Sequence, residues 1–425
     1  MPSCNIVTTA FITYLTFFSG ATFNNAALAT GDPEQTNQWN RFRGPNGTGV
    51  HPEGKSPESW SETDYRWTIE LAGTGSSSPV IWGSKIFIAS SDETSQERSL
   101  QCIDTATGKQ LWNQSTTFKP YKKHKNNSFA SSTPCCDADH VYIAWHSKDR
   151  SPLIAYDHTG QKVWEYDLGP FLHGQGGATS PIIHNNLVII AHDQKDPSYL
   201  LALDRMTGNE AWKVTREGQR ACYSTPCIFS REDQPDQIAF SHCFEGIVGV
   251  DPATGNQLWH IDVFGRSSQR AVGSVIQADD FIVATSGAFA GERQLVAIKP
   301  NMTNEATSTA TEAWRTTKQT PHVPTPLVYK DWIFLWSDQG IASCLEHATG
   351  KTIWKKRVGG NYFGSPICID EKLYCIDVDG TVAVIAASDK YRLFGKFPLG
   401  QPSKSTPAYS NGSLYFRTDS KLFAL

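Results

Sequence analysis

Cys135 and Cys136 are the pair of residues whose type and spacing point most directly to chemistry. Adjacent thiols can oxidise to a vicinal disulfide, although the geometry of a disulfide is demanding. The alternative is two reduced cysteines in a buried strand, because cysteine packs as a small hydrophobic residue. We expect the second arrangement and keep the disulfide as a candidate feature.

Cationic and aromatic side chains occur just before several of the points where a sequence repeat begins. The candidate ligand-binding residues among them are His173, Arg220, Tyr223, Arg270, His322, Tyr362 and Lys404. If they converge at the mouth of one channel, they would suit an anionic or sugar-like small ligand or a peptide tail. The alternative is a set of independent loop residues separated by water, because almost any channel mouth is polar.

Motifs of established catalytic sites are missing from the sequence. It contains no Gly-x-Ser-x-Gly, His-Glu-x-x-His, P-loop or Cys-x-x-Cys-His pattern. We therefore assign no catalytic residue and no metal ligand. The formal net charge is −4, which does not favour nucleic-acid binding. The one cationic stretch, residues 119–125, is expected to be a solvated loop.

A repeat that runs along most of the chain must position these candidates. A Ser/Thr-Pro step begins most units, and Ser274-Val275 begins one more. The mean period is about 47 residues, near the length of a four-stranded propeller blade. The eight starts are Ser78, Thr133, Ser180, Thr225, Ser274, Thr325, Ser365 and Thr406.

The unit that begins at Ser180 shows how one repeat is expected to fold. Apolar runs at 181–184, 187–191, 199–203 and 210–214 predict four strands. Gly208 is expected to supply the left-handed conformation of the turn before the last strand, which contains Trp212. The same Gly-to-Trp spacing occurs at Gly108/Trp112, Gly160/Trp164, Gly255/Trp259 and Gly350/Trp354. The fifth unit replaces this turn by an insert at 301–311 before Trp314, and the seventh has Phe394 in place of tryptophan.

The last unit, from Thr406 to Leu425, is too short to supply four strands. The segment at 65–71 contains Trp67 and has the character of a last strand, directly before the first start. Pairing it with the C-terminal strands would remove exposed sheet edges. We therefore predict an all-β fold, an eight-bladed β-propeller of four-stranded antiparallel blades whose last blade is closed by an N-terminal strand.

The N-terminus indicates export. Residues 6–23 are apolar, and Ala27-Leu28-Ala29 forms a small-x-small cleavage site. No Lys or Arg precedes the apolar run, so an uncleaved membrane anchor is the alternative. We predict a signal peptide at 1–29, an N-terminal arm at 30–59 and a single propeller domain at 60–425. The expected location is periplasmic or extracellular, and the expected state is monomeric.

The cysteine count bears on the redox state. Removing Cys4 with the signal peptide leaves nine cysteines, so at least one thiol is free or pairs between chains. Cys222, Cys227 and Cys243 fall in one repeat. We expect most of the cysteines to be buried small hydrophobes in strands.

The Ser/Thr-Pro start, the Asp-x-x-Thr-Gly turn and the Trp four residues beyond the glycine resemble the pyrroloquinoline-quinone-like propeller repeat. The resemblance covers residues 60–425. Its superfamily includes the quinoprotein alcohol dehydrogenases and the outer-membrane assembly propeller lipoprotein. Residues 39–49, with Trp39, Phe42 and Arg43, look like the opening of an exported bacterial subgroup. The dehydrogenases carry a vicinal disulfide over their quinone, ahead of the first strand, whereas Cys135 and Cys136 fall within that strand. Their calcium ligands and catalytic aspartate do not map onto this chain.

These observations favour a non-catalytic, exported propeller that acts as a scaffold in the cell envelope and binds a protein, a peptide or a carbohydrate. We expect no cofactor in that case. A quinone-dependent alcohol or sugar oxidoreductase, with pyrroloquinoline quinone and Ca²⁺, is the alternative that the resemblance implies. A hydrolase or lyase acting on polysaccharide is a second alternative.

Overall fold

A computed structural model describes residues 1–2, 38–51, 53–265, 270–287, 292–300, 308–318 and 320–425. The predicted signal peptide and the first part of the predicted arm therefore lie mostly outside the described residues. Within these ranges, no helix has the length and apolar character needed to cross a membrane.

The regular structure in the described ranges consists of β-strands and two short 3₁₀ helices, Pro45–Gly47 and Glu62–Asp64. The strands are β1 (Val50–His51), β2 (Trp67–Glu70), β3 (Val80–Trp82), β4 (Lys85–Asp92), β5 (Glu97–Asp104), β6 (Gln110–Thr117), β7 (Cys135–Cys136), β8 (His140–Ala144), β9 (Pro152–Asp157), β10 (Lys162–Asp167), β11 (Ile182–His184), β12 (Leu187–His192), β13 (Tyr199–Asp204), β14 (Glu210–Thr215), β15 (Cys227–Phe229), β16 (Gln237–His242), β17 (Gly246–Val250), β18 (Gln257–Ile261), β19 (Ile276–Ala278), β20 (Phe281–Gly287), β21 (Arg293–Pro300), β22 (Ser308–Thr316), β23 (Leu327–Tyr329), β24 (Trp332–Trp336), β25 (Ile341–Glu346), β26 (Thr352–Arg357), β27 (Ile367–Ile369), β28 (Lys372–Ile376), β29 (Thr381–Ala386), β30 (Leu393–Pro398), β31 (Ala408–Ser410), β32 (Ser413–Arg417) and β33 (Lys421–Ala424).

Consecutive strands pair as antiparallel sets of four. Among the described residues these sets are β3–β6, β7–β10, β11–β14, β15–β18, β19–β22, β23–β26, β27–β30, and β31–β33 together with β2. In the last set, Trp67 of β2 pairs with Ala424 of β33. Two parallel contacts are added, between β1 and β27 and between β18 and β22. Repeated four-stranded antiparallel sheets are typical of a β-propeller, so the predicted all-β class is confirmed.

The repeated tryptophan and glycine meet between consecutive repeats. The indole N–H of Trp164 donates to the carbonyl of Arg205 in the next turn, at 2.9 Å. Gly208 of that turn has φ 73°, and a Cβ there would lie 2.7 Å from the Trp164 ring. Glycine is therefore required both for the positive φ and for close approach to the indole. The same contact joins Trp67 to Gly108, Trp112 to Gly160, Trp212 to Gly255 and Trp314 to Gly350.

Trp259 departs from this pattern for a reason visible in the next repeat. That repeat lacks the Thr-Gly turn, and residues 308–311 of the predicted insert belong to β22. The rest of the insert lies outside the described residues. Trp259 instead donates to the side-chain oxygen of Gln237 in its own repeat, at 2.6 Å.

The Ser and Thr residues that begin each repeat join neighbouring repeats through their hydroxyl groups. The Ser274 N–H donates to Thr325 Oγ1 at 2.9 Å, and the Thr325 N–H donates to Ser365 Oγ at 3.0 Å. Equivalent bonds run from Ser78 to Thr133, Thr133 to Ser180, Thr225 to Ser274, Ser365 to Thr406 and Thr406 to Ser78. The last of these links the C-terminal repeat to the first one.

The start that lacks proline has an additional backbone N–H, and this N–H is hydrogen-bonded. Proline has no N–H, but Val275 does, and that N–H donates to the hydroxyl of Ser224 at 3.1 Å. The extra buried donor is thus satisfied from the neighbouring repeat.

The hydrophobic core is divided into clusters between successive sheets rather than gathered in one centre. For example, Ile189 and Trp212 of one repeat pack with Ile238 and Phe240 of the next. A sheet buried on both faces in this way needs a neighbour on each side, which explains why the inner strands are almost continuously apolar.

Candidate functional site

The N-terminal arm lies across the first strands of several repeats. The carbonyls of Trp39, Asn40 and Gly49 accept backbone hydrogen bonds from Ile81, Cys136 and Cys368, at 2.8, 2.8 and 2.7 Å. These three acceptors bind three different repeats. The arm therefore ties the repeats together along their first strands.

Asn46 and Arg41 add side-chain contacts to a fourth repeat. The Asn46 amide donates to the carbonyl of Ile228 and accepts from its N–H, both at 2.8 Å. Arg41 Nη2 donates to the carbonyl of Pro226 at 2.5 Å. Asn46 has φ 48°, a left-handed conformation that asparagine tolerates better than most residues.

Arg43 is a structural residue of this arm. Its side chain is 0 % exposed, and Nη2 lies 3.3 Å from both the Thr48 and the Pro366 carbonyls. Burial lowers the pKa of Arg43 to about 9. Trp39 is equally buried, within the core cluster that contains Ile81.

A cavity of about 870 Å³ lies along the repeated starts. All eight start residues, Ser78, Thr133, Ser180, Thr225, Ser274, Thr325, Ser365 and Thr406, line it, and so does Phe42 of the arm. The arm binds residues that follow the starts, whereas most of the other lining residues precede them. The arm therefore contacts the chain after the start residues, whereas most of the cavity lining comes from the loops before them.

Four of the seven predicted ligand-binding residues line this cavity: Tyr223, Arg270, His322 and Lys404. The other three do not. His173 is partly buried close to Arg270 and Arg220, and burial together with these two cations lowers its pKa. Tyr362 is buried in the core, with its ring 5.3 Å from that of Trp336.

Three of the lining residues carry buried polar atoms that no described residue satisfies. They are the hydroxyl of Tyr223, Nε of Arg270 and Nδ1 of His322. Leaving such a group without a hydrogen bond costs about 1–3 kcal/mol. These three atoms are available to form hydrogen bonds with water or a ligand in the cavity.

The cavity has a positive electrostatic character. Burial lowers the pKa of His322 to about 4, against the opposing effect of Asp338 and with further lowering by Arg293 and Arg270. Burial also raises the pKa of Tyr223 far above its usual value, so its hydroxyl keeps its proton. A neutral imidazole and a phenol therefore face the cavity beside the cations Arg270 and Lys404, which suits an anionic group.

Asp338 is the single carboxylate among the described residues that line the cavity. Its oxygens are already engaged. Arg293 Nη1 lies 2.7 Å from Oδ2, and the backbone N–H groups of His322 and Val323 donate to the two oxygens at 2.8 and 3.2 Å. It neutralises Arg293 and fixes the loop that carries His322.

The loop at 124–127 was missed as part of the site. We expected the cationic stretch at 119–125 to be solvated, but His124 and Lys125 line the cavity with Asn126 and Asn127. Asn127 Nδ2 donates to the carbonyl of Gln175 at 2.8 Å, which holds the loop against the next repeat. The concentration of cations in this stretch was the available signal.

Cys135 and Cys136, the candidate vicinal disulfide, are free cysteines in the structure. They form β7, in which neighbouring side chains point to opposite faces of the sheet. Cys135 packs with Tyr142, whereas Cys136 packs with Phe87 in a different cluster. Burial raises the pKa of both thiols well above its usual value. Neither residue lines the cavity.

Comparison with protein families identifies the class to which the chain belongs. The family model for outer membrane protein assembly factor BamB matches residues 96–298 and 292–425. The chain therefore belongs to this family of PQQ-like propellers. A comparison with functionally curated proteins returned no match.

Solved structures share the fold at low sequence identity. BamB from Moraxella catarrhalis has a TM-score of 0.61 and 15 % identity, over 84 % of this chain and 95 % of that one. A europium-containing methanol dehydrogenase has a TM-score of 0.66 and 11 % identity, over 91 % and 90 %. Quinohemoprotein alcohol dehydrogenase from Comamonas testosteroni has a TM-score of 0.64 and 12 % identity, over 92 % of this chain and 80 % of that one.

Proposed function

We propose that this protein is a non-catalytic, exported propeller scaffold that binds a partner in the cell envelope. Membership of the family described as outer membrane protein assembly factor supports a protein partner in the envelope assembly machinery. We further propose that the eight four-stranded sets form the blades of one closed ring. The pairing of β2 with β33 and the hydrogen bond from Thr406 to Ser78 support this closure.

The observation that carries the binding role is the group of unsatisfied buried atoms on Tyr223, Arg270 and His322. They share one cavity with Lys404 and the loop at 124–127. Hydrogen-bond donors beside cations suit a carboxylate, as found on an acidic side chain or at the end of a peptide. The partner would then insert an acidic segment beside the loops that precede the starts and carry Tyr223, Arg270 and His322.

Binding of a short acidic peptide and of its Gln-substituted counterpart tests this role by isothermal titration calorimetry. We expect Arg270→Gln to weaken binding of the acidic peptide about 10- to 100-fold, because hydrogen bonds to charged groups contribute about 1.5–3 kcal/mol. Tyr223→Phe should weaken it about fivefold. Lys355→Gln removes the same charge from an exposed position on β26 and serves as the control. Equal binding by Arg270→Gln and Lys355→Gln would refute an anion site in the cavity.

The envelope partner can be sought separately. A photo-crosslinking residue at Lys404, at the cavity, should capture an envelope protein in cells, whereas the same residue at Lys355 should not. Capture at neither position, with the protein correctly exported, would contradict a protein partner at this face.

A quinone-dependent oxidoreductase is the second candidate, favoured by the folds of the two dehydrogenases above. The residues present do not fit its metal. Ca²⁺ takes 6–8 oxygen ligands, usually including several carboxylates. In the part of the chain that the structure describes, the single carboxylate that lines the cavity is held by Arg293 and two N–H groups. Reconstitution with pyrroloquinoline quinone and Ca²⁺, followed by dye-linked oxidation of alcohols and sugars, should give no turnover.

Polysaccharide hydrolysis is less well supported than the scaffold role or the oxidoreductase role. Most glycoside hydrolases use two carboxylates about 5–10 Å apart. Asp338 has no carboxylate partner among the described lining residues. Screening with a polysaccharide panel should therefore detect no cleavage.

A further inference from the structure

Two buried cysteines lie side by side directly behind the cavity wall. Cys222 and Cys243 are free thiols in the structure, with their sulfur atoms 3.2 Å apart and their side chains 1 % and 0 % exposed. Cys222 belongs to the loop between β14 and β15, and Cys243 follows β16. The backbone N–H of Cys243 donates to Cys222 Sγ at 3.4 Å, so the loop and the end of β16 are in direct contact.

His242 completes the cluster, and the ligand atoms of the three residues lie within 4.8 Å of one another. Its Nδ1 accepts hydrogen bonds from the N–H groups of Phe244 and Glu245, at 3.2 and 3.3 Å. The ring proton therefore lies on Nε2, which faces the carbonyl of Arg220 at 3.4 Å.

This arrangement argues against a metal site. A histidine that binds a metal through one nitrogen usually donates a hydrogen bond from the other. In His242, Nδ1 accepts hydrogen bonds from two backbone N–H groups, and Nε2 faces the carbonyl of Arg220. Both ring nitrogens are thus engaged by backbone groups, so neither is free to bind a metal held by the two sulfurs.

We propose that Cys222 and Cys243 form a disulfide that fixes the cavity wall. Ala271 packs against both cysteines, and the Tyr223 N–H donates to the Ala271 carbonyl at 2.8 Å. Tyr223 follows Cys222 in the chain, and Arg270 precedes Ala271. The bond would therefore hold the backbone that carries two of the three unsatisfied polar atoms of the cavity, those of Tyr223 and Arg270.

The oxidant for this bond is a disulfide donor of the thiol-exchange class. The Cys222 thiolate attacks the donor disulfide, which gives a mixed disulfide and releases one donor thiolate. The Cys243 thiolate then attacks Cys222 Sγ, forms the Cys222–Cys243 bond and releases the second donor thiolate. The two protons lost by the cysteines protonate the donor thiolates, so the donor is reduced by two electrons.

Burial sets when this reaction takes place. It raises the pKa of the Cys222 thiol well above its usual value, and neither sulfur is accessible in the folded chain. A buried, protonated thiol is a poor nucleophile. The disulfide therefore forms before the cluster closes, during folding in the oxidising compartment that the proposed export provides.

Refolding of the full mature chain with reduced and oxidised glutathione tests the pairing, independently of its location in the cell. We expect two fewer alkylatable thiols than in the chain refolded with reductant. Peptide mapping should show a link between the tryptic segments 221–231 and 232–266, which contain Cys222 and Cys243. The link should persist in Cys227→Ser, the matched control in the first segment, and disappear in Cys222→Ser.

Three results would overturn the proposal. They are a full set of free thiols after oxidative refolding, a link that depends on Cys227, or stoichiometric Zn²⁺ that protects Cys222 from alkylation until a chelator is added. If Cys222→Ser does not fold, the wild-type chain still tests the proposal. Reduction of the oxidised wild-type chain should lower its midpoint of thermal unfolding by a few degrees. A linked protein that binds no acidic peptide would refute the proposed function and leave the disulfide intact.

Discussion

Replacing Thr325 by valine tests whether the hydroxyl groups of the repeated starts hold neighbouring repeats together. Valine keeps the shape of threonine but removes the acceptor of the Ser274 N–H, a bond of 2.9 Å in which both residues are buried. An unsatisfied buried N–H costs about 1–3 kcal/mol. For a chain of this size, each kcal/mol lowers the midpoint of thermal unfolding by about 1 °C. We therefore expect a decrease of about 1–3 °C for Thr325→Val.

Tryptophan fluorescence during thermal unfolding measures this shift, and amide hydrogen exchange locates its cause. Thr325→Ser is the control because it keeps the hydroxyl and loses one methyl group. The Ser274 amide should exchange faster in Thr325→Val and at the wild-type rate in Thr325→Ser. If that amide stays equally protected in both variants, the hydroxyl does not join the repeats and our explanation of the Ser/Thr preference is wrong.

Three further predictions concern the arm, the start that lacks proline and the buried histidines. Asn46→Ala should lower the free energy of unfolding by about 3 kcal/mol. Asn46→Gly should lower it by about 1 kcal/mol less, because glycine accepts the positive φ. Equal free energies for the two variants in urea unfolding would contradict this. Ser224→Ala should accelerate amide exchange at Val275, whose N–H it leaves unpaired; unchanged exchange would count against the bond. Burial lowers the pKa of His146 to about 4 and of His192 to about 3. Below pH 6.5 the unfolded chain then binds more protons than the folded chain, so the free energy of unfolding should fall by about 2 kcal/mol per histidine between pH 7 and pH 5. A midpoint of thermal unfolding that does not change over this range would refute the prediction.

The sequence predicted the strands well because each repeat is a local pattern. The strands expected at 187–191, 199–203 and 210–214 occur as Leu187–His192, Tyr199–Asp204 and Glu210–Thr215. The seven tryptophans assigned to last strands, including Trp67 and Trp259, all lie there. Alternating burial and turn glycines act over a few residues, so they can be recognised without the tertiary structure.

The site was predicted only in part, because side-chain direction depends on packing. Tyr223 and Arg270 line the cavity, whereas Tyr362, which has a similar place before its start, packs into the core against Trp336. Lys125 lies eight residues before its start, in a loop whose course the period does not determine. Cys135 and Cys136 are neighbours in the chain, but strand alternation places them in different core clusters.

The sequence by itself determined the repeat, its four strands and the residues that join one repeat to the next. Those contacts recur once in each repeat, so a motif residue of one repeat contacts the matching motif of the next repeat. Only the tertiary structure decided that three unsatisfied polar atoms share one cavity, that the arm crosses the first strands of four repeats, and that Cys222 meets Cys243. These contacts depend on how the strands pack around the cavity and on the course of irregular loops, which no sequence period encodes.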